Sequence, residues 1–157
     1  MSTSSGDRVN LQIITQLILA DIQPLLVESL AEGYTFIQRL WDEYQSGENT
    51  FREDGAALIG GYHHDRLVAV GGIQPDPYLN IPTIGRIRHV YVLPGYRRNG
   101  IGKQLVETLI AQTSGQFSTF TLRTVTQHGS AFYRTLGFVD QPRYANASHW
   151  LEVEQTP

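Results

Sequence analysis

A basic, glycine-rich turn contains the residues of this chain that are best suited to bind a ligand. Residues 97–103 read Arg-Arg-Asn-Gly-Ile-Gly-Lys and follow Pro94, which ends an apolar run. The amphipathic spacing of Ile101, Leu105 and Leu109 predicts a helix immediately after the turn. The first N–H groups of a helix lack partners within it and carry the positive end of its dipole. Because glycines let a ligand approach these amides, the sequence predicts a phosphate or pyrophosphate site.

Two nucleotide-binding motifs do not fit this turn. A Walker A loop ends in Gly-Lys-Ser/Thr, whereas Lys103 is followed by Gln104. The position of that loop's first glycine is taken by Arg97. A dinucleotide fingerprint requires a third glycine, and Leu105 stands there instead. The alternative to a ligand site is an ordinary strand-to-helix turn with solvated arginines.

The turn and a second, downstream segment together resemble the GNAT acetyltransferase superfamily. Arg97-x-x-Gly100-x-Gly102, preceded by residues 90–94 (VYVLP), is similar to the family's acyl-CoA-binding motif. Residues 131–138 (AFYRTLGF) are similar to its segment in which Phe-Tyr is followed, after three residues, by Gly-Phe. The expected order of strands and helices also fits, so the resemblance covers nearly the whole chain.

The resemblance implies an α/β (α+β) fold with a mixed, mostly antiparallel sheet flanked by helices. Two strands of that sheet are expected to splay apart and form the acyl-CoA cleft. The turn would bind the coenzyme A pyrophosphate through Arg97, Arg98, Asn99, Gly100, Ile101, Gly102 and Lys103. The backbone of Val90, Tyr91 and Val92 would pair with the pantetheine arm, as in strand addition. His128 occupies a position where many relatives have Asn bound to the coenzyme, and a surface histidine is the alternative.

Two residues are candidates for proton transfer. By its place in the motif, Tyr133 would protonate the departing CoA thiolate, since a phenol with a pKa of about 10 is protonated at neutral pH. The alternative is a tyrosine packed in the core. The strand that leads to the glycine turn begins with residues 85–89 (GRIRH), which contain no carboxylate. His89 is therefore the group in this stretch that could accept a proton near neutral pH. Strand alternation places His89 and Tyr91 on one face. A structural histidine, with water relaying to a distant carboxylate, is the alternative.

The resemblance therefore predicts an acetyl-CoA-dependent N-acetyltransferase acting on a primary amine of a small acceptor, with no metal. Direct transfer in a ternary complex is expected because the chain has no cysteine and no recognisable nucleophile. A non-catalytic acyl-CoA sensor and a plain interaction domain are the alternatives from other classes. Succinyl-CoA or another acyl donor stays open. Dimers are common in the family, so a homodimer is compatible with the resemblance.

Charge is divided unevenly along the chain. Residues 1–84 hold four arginines against eleven acidic residues, a net of −7, whereas residues 85–157 have a net of +4. The acidic residues concentrate after a helix that bears Trp41 and Tyr44, and they would suit a cationic acceptor; they are Asp42, Glu43, Glu48, Glu53 and Asp54. Solvated acids on a helix face are the alternative. The loop at residues 76–80 is expected to rim that site, and His63-His64 lacks the spaced partners of a metal site.

Composition favours a single folded domain over residues 1–157, with residues 1–10 flexible. The chain has 157 residues, of which 41% are hydrophobic and 17% charged. The absence of cysteine excludes disulfides and thiolate metal sites. A net charge of −3 argues against nucleic-acid binding. The sequence shows neither a membrane span nor a secretory signal, so a cytoplasmic protein is expected.

The pattern of the chain predicts the elements that position these residues. Strands are expected at residues 12–18, 56–62, 67–73, 85–93, 117–125 and 149–153. Helices are expected from Asp21 to Gly33, with Pro24 in the first turn, then at 34–44, from Ile101, and at 130–136. The predicted order is β, α, α, three β, α, β, α, β.

Overall fold

The computed structural model describes residues 8–154, which form one six-stranded sheet and four α-helices. The elements are, in chain order, β1 (Asn10–Ile13), α1 (Leu19–Ala31), α2 (Phe36–Ser46), β2 (Ala57–His63), β3 (Arg66–Pro75), β4 (Ile84–Val92), α3 (Ile101–Thr113), β5 (Thr119–Leu122), α4 (Gln127–Thr135) and β6 (His149–Glu152). This order confirms the predicted one. Within the same residues, no helix is long and apolar enough to cross a bilayer.

The strands lie in the sheet in their chain order, β1 to β6. All neighbours are antiparallel except β4 and β5, which are parallel. A parallel connection must cross the sheet, and α3 makes this crossing. The mixed, mostly antiparallel sheet predicted from the sequence is therefore confirmed. The β4–α3–β5 crossover places the glycine turn at the C-terminal end of β4.

Two apolar clusters cover the two faces of the sheet. The first cluster joins α1 and α2 to the sheet and includes Ile22, Leu25, Ile37 and Leu40, all fully buried. The second cluster lies under α3 and includes Leu105, Leu109, Phe117 and Phe120, also fully buried. Trp41 is half-buried against the first cluster, as its place on the apolar stripe of α2 predicts. The sheet thus separates an α1/α2 face from an α3 face.

The N-terminal elements differ from the prediction. β1 ends at Ile13, and α1 begins at Leu19 with Ile18 rather than Asp21 as its N-cap. Pro24 consequently lies inside the helix, beyond its first turn. A run of Ile and Leu does not separate strand from helix by periodicity, and here buried Leu17 divides the run, its N–H bonded to the Tyr44 hydroxyl at 3.0 Å.

Three further boundaries correct the sequence expectation. The expected flexibility of residues 1–10 does not extend to Asn10, which begins β1, and residues 1–7 lie outside the described part. The alternation of apolar and polar residues at 117–125 predicts a half-buried strand, whereas β5 is shorter and all four of its residues are buried. α4 starts at Gln127 rather than Ser130, since the Thr126 hydroxyl caps it by accepting from the Gly129 N–H at 2.9 Å.

Candidate active site

Strands β4 and β5 part within the sheet. They pair only between residues 84–86 and 119–121. Beyond Arg86, β4 continues to Val92 with no β5 residue beside it. Backbone N–H and C=O groups on such a strand edge need partners, and an extended ligand can supply them. The cleft between the two strands therefore suits the amide-bearing chain expected there.

A bulge bends β4 inside this open stretch. Between the pairs Val70–Tyr91 and Gly72–Arg88, β3 has one residue and β4 has two, His89 and Val90. His89 takes the left-handed conformation, with φ of 61°. Such an extra residue interrupts the ladder and increases the local twist. The bulge thus turns the end of β4 away from β5 at the point where the cleft opens.

The bulge leaves His89 and Tyr91 on the same face, as predicted. The His89 ring meets the Phe51 ring at 6.1 Å, and Tyr91 belongs to the first cluster, so both face α1 and α2. Val90 packs against the second cluster. Of the three strand residues expected to contact pantetheine through their backbone, Val90 and Val92 are half-buried and Tyr91 is buried.

His89 is a neutral, internally bonded imidazole. Its side chain is enclosed, and its Nδ1 lies 3.0 Å from the Phe36 carbonyl oxygen. A carbonyl only accepts, so Nδ1 carries the proton and donates it. Burial, assisted by the charge of Arg88, lowers the pKa of His89 to about 3. A histidine in this state is a weak base at neutral pH, and the role predicted for it stays a prediction.

The glycine turn leads directly into α3. Residues Pro94–Tyr96 form a single 3-10 turn, and Gly100 is the N-cap of α3 with φ of 77°. A side chain at Gly100 would be strained in that left-handed conformation. Residues 97–100 are exposed, and no side chain caps the first N–H groups of the helix. The turn therefore presents open amides, with Arg98 and Lys103 exposed beside them.

The guanidinium of Arg97 is directed toward α1. Its two terminal nitrogens lie 2.8 and 2.6 Å from the two carboxylate oxygens of Glu32, and its Nε donates to the Val92 carbonyl at 2.8 Å. The Tyr91 hydroxyl also donates to Glu32. The hydrogen bonds from Arg97 lower the pKa of the Glu32 carboxyl below its usual 4.5. We call this set the Glu32 ion pair; it ties the end of β4 and the turn to α1.

Helix α4 packs against the start of α3. A Cβ added at Gly102 would lie 3.3 Å from the Phe132 ring and 3.8 Å from Val92. Glycine at this position therefore allows β4, α3 and α4 to meet closely. His128 is exposed in the first turn of α4. The two predicted motifs, far apart in sequence, are in contact in the fold.

Tyr133 stands in an aromatic setting on the α3 face. Its ring centroid is 4.9 Å from that of Phe132, 5.5 Å from Phe138 and 6.4 Å from His149. Burial raises the pKa of the Tyr133 phenol above its ordinary value of 10.0. Among residues 8–154, no group accepts or donates a hydrogen bond at its hydroxyl. The residue is therefore a protonated phenol at neutral pH, and its predicted role as a proton donor stays a prediction.

A polar cavity of about 790 Å³ opens on the α1/α2 face. It lies between α2, the loop after β3 and the middle of β4. Pro77 and Tyr78 form part of its wall, in keeping with the expected rim at residues 76–80. Acidic residues Asp42, Glu43, Glu48 and Glu53 line it, and so do Arg39 and Arg88. Asp54, the fifth acidic residue of the predicted group, is not among the lining residues.

Sequence reasoning did not single out three important side chains. Glu32 gave no signal, because an acid at a helix end has many possible partners. Gln74 follows the apolar run of β3 and Arg88 lies in the mixed strand β4, and a polar or charged residue in a buried strand is the signal that could have identified them. The sheet brings Arg88 and Gln74 together at the floor of the cavity, with Arg88 Nη1 at 3.4 Å from Gln74 Oε1.

The cleft between strands, the open turn at a helix start and the two contacting motifs define an acetyltransferase of the GNAT class. The family model for the acetyltransferase (GNAT) domain matches residues 54–140, and the chain belongs to this family. A proposed acetyltransferase from Exiguobacterium sp. 255-15 shares 28% identity over 92% of this chain and 93% of its own, with a TM-score of 0.80.

More distant solved structures share the fold. A GNAT-family acetyltransferase from Staphylococcus aureus Mu50 has 16% identity over 92% of this chain and 100% of its own, with a TM-score of 0.69. The Escherichia coli GNAT-family N-acetyltransferase YhbS, solved in complex with CoA, has 14% identity over 96% of this chain and 83% of its own, with a TM-score of 0.68. No curated protein matches the chain.

Proposed function

We propose that the chain is a single-domain N-acetyltransferase that moves the acetyl group of acetyl-CoA directly to a primary amine. The observation that carries this proposal is the parting of β4 and β5 beyond Arg86, with an uncapped helix start at the end of β4. Family membership and a fold-related E. coli enzyme in complex with CoA support the same cosubstrate. The α3 face would hold the coenzyme, and the α1/α2 face would admit the acceptor.

The coenzyme would bind mainly to backbone. The amides from Arg98 to Gly102 would hold the pyrophosphate, with Arg98 and Lys103 adding positive charge. The pantetheine arm would follow the open edge of β4 toward the bulge. Since Arg97 already binds Glu32 and Val92, we assign it to positioning the turn rather than to a phosphate contact.

Acetyl transfer would follow an addition and elimination. The neutral amine attacks the thioester carbonyl carbon, and N–H groups on the open edge of β4 stabilise the oxyanion that forms. The carbon–sulfur bond then breaks, and the electron pair leaves with sulfur. Tyr133 donates its phenolic proton to that thiolate, giving CoA and an acetylated amine, and regains a proton from solvent.

The attacking nitrogen gains a positive charge as the carbon–nitrogen bond forms and must lose one proton before the amide is released. The Nδ1 proton of His89 is held by the Phe36 carbonyl, and its pKa of about 3 makes it a poor base at neutral pH. Glu43 lines the cavity and faces the same stretch of β4 through Arg88. We therefore propose that Glu43, directly or through water, accepts the proton, and that His89 positions the bulge.

A non-catalytic sensor is the alternative, and the buried, neutral His89 is the observation that favours it. A sensor would bind acetyl-CoA with the same contacts but acetylate no amine. Only a measurement of turnover distinguishes the sensor from the transferase. Release of CoA that depends on an added amine supports the transferase.

Calorimetric titration tests the coenzyme site. Acetyl-CoA, CoA and ATP are titrated into the wild type and into Gly100→Glu, which places a carboxylate beside the open amides. Gly47→Glu is the matched control: Gly47 also has a left-handed φ, 85° against 77° for Gly100, and free space around its Cβ. Both variants therefore share the strain and the added charge, but only Gly100 lies in the turn.

The proposal expects both coenzyme forms to bind the wild type and Gly47→Glu, and ATP to bind far more weakly. It expects Gly100→Glu to bind acetyl-CoA at least about 100-fold more weakly, a difference of about 2.7 kcal/mol. No binding of acetyl-CoA to the wild type would remove the transferase and the sensor together.

A further inference from the structure

The floor of the acceptor cavity holds an ion pair that is incompletely bonded. Arg88 Nη2 lies 3.7 Å from Glu43 Oε2, too far for a hydrogen bond. The two side chains are only 16% and 17% exposed. Among the described residues, Glu43 Oε2 is buried without a hydrogen-bond partner. Because Oε2 is enclosed, the exposed part of this carboxylate is its other oxygen, Oε1, which has no hydrogen-bond donor among the described residues.

The arginine of this pair is held in place but also has unused donors. Its Nη1 reaches Gln74 Oε1 only at 3.4 Å, and that amide oxygen already accepts from Asn49 Nδ2 at 2.5 Å. Gln74 is 6% exposed, so the arginine is anchored from below. A guanidinium presents a planar fork that matches a carboxylate. Its remaining donors are therefore available on the cavity side.

We propose that the acceptor is a free α-amino acid, recognised by both of its charges. The ammonium group would bind Glu43, and the carboxylate would bind Arg88. The proposal rests on the proposed function and names the acceptor class of that same cavity. Since the two protein charges are side by side, the ligand charges must also be neighbours, as they are on the two sides of an α-carbon.

Acceptors with positive charge alone fit this floor less well. A polyamine or a protein lysine would meet Glu43 with its ammonium but would leave Arg88 without an anion. Arg39, which also lines the cavity, adds further positive charge. The four acidic residues of the lining still outnumber its two arginines, so the selection rests on the anion that Arg88 lacks when a purely cationic molecule is bound. The acidic cluster would then contact the side chain of the amino acid or the surrounding water.

The test compares amino acids with the amines that lack only the carboxylate. Phenylalanine and phenethylamine, methionine and 3-methylthiopropylamine, and lysine and cadaverine are assayed with acetyl-CoA by the release of free CoA thiol. For at least one pair, kcat/KM of the wild type is expected to favour the amino acid by about 100-fold, since one partner of a charge-assisted bond is absent from the amine. The reaction products are an N-acetyl amino acid and CoA.

Variants at Arg88 test whether its guanidinium causes the preference for amino acids over the matching amines. Arg88→Gln should raise KM for the amino acid at least about tenfold and bring the ratio of kcat/KM for the amino acid to kcat/KM for the matching amine close to one. Arg88→Lys keeps the charge without the fork and should restore part of the preference. Arg66→Gln, an exposed arginine in the β2–β3 hairpin, is the matched control and should keep the wild-type ratio. Circular dichroism and coenzyme titration check that each variant is folded.

The outcomes separate this inference from the proposed function. Equal kcat/KM for amino acids and amines overturns the amino-acid acceptor and leaves the transferase intact. Coenzyme binding without acetylation of either set overturns the inference and supports the sensor. Failure of acetyl-CoA to bind removes the proposed function itself. An unchanged preference in Arg88→Gln also overturns the inference, because the carboxylate would then be bound elsewhere.

Discussion

The face proposed to bind the coenzyme and the face proposed to admit the acceptor offer different kinds of chemical group. On the α3 face, the turn at residues 97–103 and the open edge of β4 offer backbone groups that are placed by glycine and helix geometry. On the α1/α2 face, the cavity is lined by side chains that come from α2, β3 and β4. The backbone groups of β4 and the turn are contiguous in sequence, whereas the side chains of the cavity are assembled only by the fold.

This difference explains why the two sides respond differently to mutation. A backbone site depends on conformation, so its sensitive positions are those at which a side chain would strain the chain or block approach, such as Gly100. A side-chain site depends on charge and geometry, so single polar substitutions alter specificity there. Changes on the α3 face should therefore affect coenzyme affinity and the chemical step. Changes on the α1/α2 face should affect acceptor choice.

The largest effect is expected from Tyr133→Phe. The ring contacts with Phe132 and Phe138 survive, but the proton donor to the thiolate is lost. We expect kcat to fall by about 10²- to 10³-fold, with the Kd for acetyl-CoA unchanged. Steady-state kinetics and calorimetry measure the two quantities separately.

The matched control for that variant is Tyr62→Phe. Tyr62 is a half-buried tyrosine of β2 that packs on the first cluster, away from the cleft. It should retain the wild-type kcat. If Tyr133→Phe turns over as fast as the wild type, another group protonates the thiolate. The α3 face would then contribute coenzyme binding but not the chemical step.

The second prediction concerns His89, whose pKa falls from 6.5 to about 3 on folding. The unfolded chain takes up a proton below pH 6.5 and the folded chain does not, so the free energy of unfolding falls as pH drops through this window. The loss should reach up to about 3 kcal/mol between pH 7 and pH 4. Urea unfolding of the wild type and His89→Asn measures it, since asparagine tolerates the positive φ and does not titrate.

His89→Asn should show a flatter pH dependence and keep most of its turnover. A drop in kcat of about 100-fold in that variant, with coenzyme binding intact, would restore His89 as the general base. His89 would then accept the proton of the amine as well as form the bulge in β4.

Removal of the Glu32 ion pair should have an intermediate effect on coenzyme binding, because this pair joins α1 to the turn at residues 97–103. Glu32→Gln should loosen the turn and raise the Kd for acetyl-CoA about tenfold, with kcat for saturated enzyme little changed. Its cost in stability should stay below about 1 kcal/mol, since the Arg97 side chain is 38% exposed and solvent screens the pair. Glu28→Gln, an exposed acid one turn earlier in α1, is the control.

The pH dependence of that cost has a definite sign. Folding lowers the pKa of Glu32 below 4.5, so the ion pair stabilises fully above that pH and is lost as pH falls through the folded value. The stability difference between wild type and Glu32→Gln should therefore be constant above about pH 5 and disappear in stronger acid. A difference that grows in acid would contradict the assignment of the ion pair.

Much of the fold could be predicted from the sequence because periodicity and turn chemistry are local. The apolar stripe of α2 and its end at Gly47, or the i, i+4 pattern from Ile101, need no tertiary information. The boundary between β1 and α1 could not be predicted, since a continuous Ile/Leu run suits both elements. The same holds for β5, whose length is set by where β4 parts from it rather than by its own residues.

The sites divide in the same way. The turn and the segment around Tyr133 are compact motifs, and the family resemblance was enough to predict that they act together; the fold places Gly102 against Phe132. The direction of the Arg97 side chain could not be predicted, because its partner Glu32 lies 65 residues away. The floor of the cavity was hidden for the same reason: Glu43, Gln74 and Arg88 come from three separate elements. Long-range side-chain pairing is the information that local patterns lack.

The smallest effect is expected from Lys103→Ala, which removes one exposed charge beside the turn. If the amides bind the pyrophosphate, this charge should add only a screened attraction, and the Kd for acetyl-CoA should rise about two- to threefold at 0.15 M salt. The loss should vanish near 1 M salt, where the Debye length falls to about 3 Å. Lys103→Arg should bind like the wild type, and Arg66→Ala should show that charge lost elsewhere has no effect. A loss as large as that of Gly100→Glu would mean that side-chain charge, rather than backbone, dominates the coenzyme side, and the contrast between the two faces would no longer hold.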